Sequence, residues 1–159
     1  MAIYTKTGDK GETGTFSGKR VSKSSKLIKV IGAIDELNSF LGIIGGFTGV
    51  QRNLFTINAI LTGAKIKFSD SATSKLEKEI DRLERKLPVQ KNFLIYSGNK
   101  RATRLYFARA LCRRAERELV ELKSKPEILI YINRLSDYLF IKAREINFKS
   151  GFKEEAWRG

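Results

Sequence analysis

Apolar residues recur at steps of three and four through most of this chain, the spacing that lines one side of an α-helix. Leu27, Val30 or Ile31, Ile34, Leu37 or Phe40, Leu41 and Ile44 form a first stripe, and Gly45-Gly46 is placed to end it. A second stripe over about Val50 to Lys67 uses Leu54, Ile57, Ile60 or Leu61, and Ala64. A third, roughly Ser71 to Leu87, has Leu76, Ile80, Leu83 and Leu87 in a seam among Lys, Glu and Arg, and Pro88 stops it. The fourth covers residues 99–122, with Leu105, Ala108, Cys112, Ala115, Leu119 and Leu122 inward and Asn99 or Ser97 as cap. Lys123-Ser-Lys125 turns the chain, and Pro126 suits the first turn of a fifth helix carrying Ile128, Ile132, Leu135, Leu139, Ala143 and Ile146.

No stretch shows the alternation of a strand, and no internal repeat is present. The pattern predicts an all-α, five-helix antiparallel bundle in one domain. Within residues 1–159, positions 1–24 form an N-terminal loop, 25–148 the bundle and 149–159 a charged tail containing Trp157. The connection Val89–Gly98 holds Phe93, Leu94, Ile95 and Tyr96, which reads either as a buried loop or as a cover over a pocket.

Composition narrows the chemistry. The chain is 42% hydrophobic and 30% charged, as a globular domain is. Its single cysteine cannot form an internal disulfide, and no apolar run resembles a signal peptide or a membrane span, so a soluble cytoplasmic protein is expected. A net charge of +14 calls for an anionic partner: nucleic acid, a nucleotide's phosphates or an acidic surface. Histidine is absent, which excludes Ser-His-Asp and Cys-His machinery and any histidine metal ligand. An enzyme built from this chain must work by positioning and electrostatics.

Two stretches are candidates for holding an anion. Arg109, Arg113 and Arg117 fall four apart on the fourth helix with only Glu116 among them. This is either a solvated face or a row of guanidinium forks for a polyphosphate. The N-terminal run Tyr4-Thr-Lys-Thr-Gly-Asp-Lys-Gly-Glu-Thr-Gly14, with Lys23 beyond it, has glycines that let backbone amides crowd round an anion. It fits neither the Walker A nor the Gly-x-Gly-x-x-Gly pattern, and a flexible basic terminus is its plainer reading. Asp35 lies at the edge of the first stripe, either solvated or paired with a cation on a neighbouring helix or chain. Asn133, polar beside Ile132, is placed to reach a ligand at the margin of the fifth.

Four motifs together resemble the PduO-type ATP:cob(I)alamin adenosyltransferases along nearly the whole chain. They are Tyr4-Thr-Lys-Thr-Gly-Asp-Lys-Gly-Glu-Thr13, Asp35-Glu-Leu-Asn-Ser39, Ala110-Leu-Cys-Arg-Arg-Ala-Glu-Arg117 and Tyr131-Ile-Asn-Arg-Leu-Ser-Asp137. The resemblance implies a homotrimer with active sites between subunits. It implies that ATP is bound by Thr5, Lys6, Thr7, Gly8, Thr13 and Lys23 of the loop and by Arg113, Arg114, Glu116, Arg117 and Asn133 of the bundle, with Glu116 toward Mg2+. Asp35 and Arg109 match a pair that bridges subunits, and Phe93 matches the aromatic residue under the corrin ring that keeps the lower base off cobalt. After that phenylalanine the family usually continues Ile/Val-Leu-Pro-Gly-Gly, whereas this chain reads Leu94-Ile-Tyr-Ser-Gly98, without the proline and one glycine.

The implied reaction transfers the 5′-deoxyadenosyl group of ATP to Co(I) of a reduced corrinoid and releases triphosphate. Co(I) is the nucleophile, so the protein needs no side-chain base, in agreement with the missing histidine. Arg113 and Arg117 would stabilise the departing triphosphate while Phe93 excludes the lower ligand. A corrinoid reductase and an adenosylcobalamin-dependent enzyme are the implied partners. A basic helical nucleic-acid-binding module is the first alternative, but the basic residues gather in a loop and one helix edge, without a helix-turn-helix signature or an aromatic series. A bundle that has kept the fold and lost the activity is the second; the intact loop, Arg113, Arg117 and Asn133 oppose it.

Overall fold

The computed structural model describes residues 3–158, leaving the outermost positions of the expected loop and tail (residues 1, 2 and 159) outside the described residues. Five helices account for most of the chain: α1 Lys26–Ile44, α2 Thr48–Leu61, α3 Asp70–Glu84, α4 Lys100–Glu121 and α5 Pro126–Lys149. Their ends follow local chemistry. Ser25 caps α1 by accepting from the Ile28 amide, and Gly45, at φ 73°, ends it by donating to the Leu41 carbonyl. Ser69 caps α3, Asn99 caps α4 by accepting from the Arg101 amide at 2.8 Å, and Pro126 opens α5.

α4 packs on α1 along one side and on α5 along the other, while α2 leans on α1 and α3 on α5. The seam is made of small residues on α4: Ala102, Ala108, Cys112 and Ala115 are all fully buried, which lets the helices approach closely. Leu37, Leu41, Leu105, Leu119, Ile132 and Leu135 fill the space around them with no exposure. Each such side chain contributes about 1.5–3 kcal/mol on burial, whereas an exposed ion pair such as Lys26–Glu121 at 2.6 Å is screened by solvent and contributes little. Packing therefore holds the bundle, and the surface pairs adjust its edges. A smaller cluster of Leu83, Leu87 and Ile141 joins α3 to α5.

Two expectations are corrected. The loop contains a short antiparallel ribbon, β1 Glu12–Gly14 and β2 Arg20–Ser22, where no strand was expected. Its strands are three residues long and half to fully exposed, so no apolar alternation announces them; a turn through Gly18, at φ 80°, and the Thr15–Lys19 hydrogen bond close it. α2 stops at Leu61 rather than near Lys67. Thr62 donates its hydroxyl to the Asn58 carbonyl, Gly63 takes φ 103°, and the buried Ala64 and Phe68 continue inward without being helical. The tail does not run free: Ala156 pairs with Leu94, Trp157 donates its amide to the Phe93 carbonyl at 2.7 Å, and Ile95 donates to the Glu155 carbonyl at 2.9 Å.

A backbone hydrogen bond from Ser17 N to the Thr62 carbonyl at 3.0 Å moors the ribbon to the bundle. A Cβ at Gly63 would lie 2.7 Å from Ser17 Cβ. Gly63→Ala is therefore expected to leave helix content unchanged by circular dichroism but to speed proteolytic cleavage within residues 12–22.

Glu145, on α5, accepts from Lys142 at 2.6 Å and from Lys149 at 2.7 Å. Burial opposes its ionisation, but these two hydrogen bonds overcome it and hold its pKa at about 2, below the ordinary 4.5. A pKa lowered by folding adds stability above the unfolded-state value and loses it as pH falls through the folded one. Glu145→Gln is expected to lower the melting temperature at pH 6, the gap to the parent closing between pH 4.5 and 2 in thermal melts.

Candidate functional site

α4 distributes its arginines between two neighbours and solvent. Arg114 faces α1 and pairs with Glu36. Arg109 turns the other way: its Nη1 donates to the Ser136 carbonyl at 2.6 Å and lies 3.4 Å from Asp137 Oδ1, and the guanidinium sits 5.1 Å from the centre of the Phe140 ring. Arg113 and Arg117 are exposed, and among the described residues neither makes a hydrogen bond or an ion pair. Together with Glu116, Val120 and Asn133 they line an open cleft of about 480 Å³. The one carboxylate there is not spent on the arginines, because Asn133 Nδ2 donates to Glu116 Oε1 at 2.8 Å. Two unpaired guanidinium forks beside an oriented carboxylate can take a polyphosphate with an accompanying cation.

The sequence thus places Arg113, Glu116, Arg117 and Asn133 together, and the structure sets Arg114 apart from them, on the α1 side. Cys112 between these groups is inert. It is fully buried, donates its Sγ–H to the Ile132 carbonyl at 3.2 Å, and burial pushes its thiol well above the ordinary range.

The N-terminal loop closes on itself. Lys23 donates its amide to the Gly11 carbonyl at 2.8 Å, and its ammonium lies over Gly8, where a Cβ would come within 3.1 Å of Nζ. Arg20 donates to the Thr7 carbonyl at 2.6 Å, the Thr5 and Thr7 hydroxyls are 2.8 Å apart, and Lys6 adopts φ 58°. Thr13 pairs with Val21 in the ribbon. Glycine at position 8 leaves room for a lysine to fold over the backbone, which is a cradle for an anion. No hydrogen bond or ion pair between described residues joins this loop to the Arg113 cleft.

Asp35 accepts from Asn58 Nδ2 at 2.8 Å, and partial burial raises its pKa against that bond. Within one chain, then, Asp35 and Arg109 have different partners.

Phe93 stands 78% exposed at the rim of a hollow of about 460 Å³ that it shares with Asn92, Trp157 and Arg158. A larger cleft of about 830 Å³ runs between α3 and α5 beneath the same loop, lined by Pro88, Val89, Arg134, Asp137, Phe140 and Arg144 among others. Tyr96, where the motif departs from the family pattern, stacks on Tyr106 with ring centres 4.4 Å apart and planes at 6°. Arg144 and Asn147, which bond this loop directly, and Glu154, which bonds Arg144, were not singled out from sequence. Asn147 is 1% exposed, accepts from the Asn99 amide and donates to the Ser97 carbonyl. Its signal was available: it falls four residues after Ala143, a polar side chain on an apolar stripe.

Residues 3–146 match the cobalamin adenosyltransferase family. The chain is 41% identical to the corrinoid adenosyltransferase of Bacillus subtilis (strain 168), with 95% of this chain and 89% of that one covered. It is 34% identical to the corrinoid adenosyltransferase MMAB of Mus musculus, covering 98% and 77%. Among solved structures it is similar to a variant PduO-type ATP:corrinoid adenosyltransferase from Lactobacillus reuteri complexed with cobalamin and ATP. The TM-score is 0.93 at 30% identity, over 99% of this chain and 100% of that one. With the family match spanning nearly all of the five-helix bundle and its N-terminal loop, the chain belongs to the cobalamin adenosyltransferase family.

Proposed function

We propose that this chain transfers the 5′-deoxyadenosyl group of ATP to Co(I) of a reduced corrinoid, forming adenosylcobalamin and releasing triphosphate. The observation that carries the reading is the cleft of Arg113, Glu116, Arg117 and Asn133, in which two exposed arginines are left without carboxylate partners. The substrate supplies the nucleophile, so the protein's work is alignment and charge stabilisation. Arg113 and Arg117 take the phosphate oxygens whose charge grows as the ATP 5′ carbon leaves them. The loop of Thr5, Lys6, Thr7, Gly8 and Thr13 wraps the nucleotide, and the Lys23 ammonium over Gly8 adds a further cation. Arg114 stands apart from these groups, paired with Glu36 on the α1 side.

Magnesium fits this cleft. The ion takes one or two carboxylates and completes its shell with phosphate oxygens and water. Glu116, oriented by Asn133, would hold it, and no cluster of three or more acidic or thiol ligands among the described residues offers a protein-only alternative. Bound there, it would neutralise charge on the triphosphate.

The loop and the cleft are halves of one phosphate site that a single chain leaves apart, which supports a homotrimer with each site shared between neighbours. Arg109 supports the same reading, since among the described residues its hydrogen bonds, to Ser136 and Asp137, use Nη1 alone, leaving Nη2 and Nε to reach Asp35 of a second copy. Phe93 provides an apolar wall under the corrin that keeps the lower base off cobalt and makes Co(II) easier to reduce. A corrinoid reductase upstream and an adenosylcobalamin-dependent enzyme downstream are the partners this chemistry requires. No described helix is long and apolar enough to cross a membrane.

An anaerobic assay with chemically reduced cobalamin, ATP and magnesium is expected to give the alkyl-cobalt spectrum. Each charged hydrogen bond is worth about 1.5–3 kcal/mol, so Arg113→Ala should slow conversion roughly 10- to 150-fold. An unchanged rate would remove Arg113 from the phosphate clamp. For the subunit bridge, Asp35→Arg or Arg109→Asp alone is expected to weaken the trimer in gel filtration and lower activity, and the double exchange to restore part of both. Single exchanges that leave assembly and activity intact would contradict the bridge.

A further inference from the structure

The loop that carries Phe93 is fastened from behind by groups that touch neither proposed substrate half. Arg144 is 7% exposed, and its guanidinium spans two elements: Nε donates to Glu154 Oε2 at 2.9 Å and Nη2 to the Pro88 carbonyl at 3.0 Å. The other oxygen of Glu154 accepts from the Tyr106 hydroxyl at 3.1 Å. Tyr106 is 3% exposed, and its ring carries the stacked Tyr96 three residues beyond Phe93. The tail segment that supplies Glu154 also runs alongside the loop, with backbone hydrogen bonds from Trp157 to Phe93 and from Ile95 to Glu155. Phe93 thus lies between a fixed Pro88 and a fixed Tyr96, its own carbonyl pinned, while its ring stays 78% exposed.

Exposed aromatic rings on loops sample many positions unless their backbone is held. Here one carboxylate collects both attachments, to α5 through Arg144 and to α4 through Tyr106. A little-exposed, charge-assisted pair held by three hydrogen bonds, two from Arg144 and one from Tyr106, is costly to assemble and specifies one geometry. A loop that needed only to connect α3 to α4 would not require it.

We infer that Glu154, with Arg144 and Tyr106, is a positioning device: the C-terminal segment sets the height of the Phe93 ring and thereby how completely the lower ligand is kept off cobalt. This rests on the reading of Phe93 as the wall under the corrin. The device acts through Phe93 and leaves the Arg113 cleft alone, so its loss should separate corrinoid geometry from nucleotide binding.

The test uses the full chain, ATP and cob(II)alamin under anaerobic conditions, with electron paramagnetic resonance reporting whether the axial nitrogen splitting from the lower base persists. The parent is expected to convert a fraction of the cofactor to the form lacking that splitting, and Phe93→Ala to abolish the conversion. Glu154→Ala should reduce the converted fraction at least about fivefold while the KM for ATP stays within twofold. Tyr106→Phe, which removes one of the two attachments, should fall between parent and Glu154→Ala. If Phe93→Ala abolishes conversion and Glu154→Ala does not reduce it, the positioning device is overturned. If Phe93→Ala leaves conversion intact, the wall itself is wrong and the inference falls with it. A Glu154→Ala protein that loses ATP affinity and conversion in parallel would show a merely structural role and would also overturn it.

Discussion

The burial of α4 between α1 and α5 is the constraint on which the rest of the site depends. Its small residues, Ala102, Ala108, Cys112 and Ala115, let two helices close on it from opposite sides, and once they have closed the helix cannot rotate. Every fourth position is then committed. One edge meets α1, where Glu36 takes Arg114; the other meets α5, where Ser136 and Asp137 take Arg109. What remains for Arg113 and Arg117 is the gap between. Their lack of partners is a geometric result of the packing rather than a property of the arginines themselves.

α5 has a second task, visible in its polar interior. Besides Glu145, which lysines of its own helix hold, Ser136, Arg144 and Asn147 are buried on α5, and buried polar groups are kept only where hydrogen bonds compensate them. All three bond outside their own helix, two of them to the connection between α3 and α4. The bundle core and the connection are therefore one mechanical unit, and the aromatic cluster of Tyr96, Tyr106 and Phe140 lies where they meet.

The five helices were legible because each buries a stripe, and a stripe is written at every third or fourth residue. Gly45, Asn99 and Pro126 marked their ends for reasons that act within a few residues. The ribbon was not legible, since Glu12–Gly14 and Arg20–Ser22 bury nothing on one face. The end of α2 was missed because Ala64 and Phe68 keep a helix-like spacing while Gly63 has already turned the backbone. At the site, the motif order brought out Arg113, Glu116, Arg117 and Asn133, which the fold does gather. It could not reveal that Glu36 takes Arg114, or that the tail lies along Phe93, because both depend on elements far apart in sequence and, for the tail, on backbone groups that leave no mark in side-chain pattern.

The absence of histidine has one more result. Burial drives the Cys112 thiol and the Tyr106 and Tyr131 hydroxyls upward, while lysine partners drive the Glu145 carboxyl down to about 2. With no imidazole present, no side chain of this sequence has an ordinary pKa near neutrality, and these four shifts lead further from it, whereas partial burial moves Asp35 the other way. Its formal charge of +14 at pH 7 accordingly owes nothing to an imidazole. Acidification of its surroundings would alter the ionisation of a bound anion long before it altered the protein that attracts it.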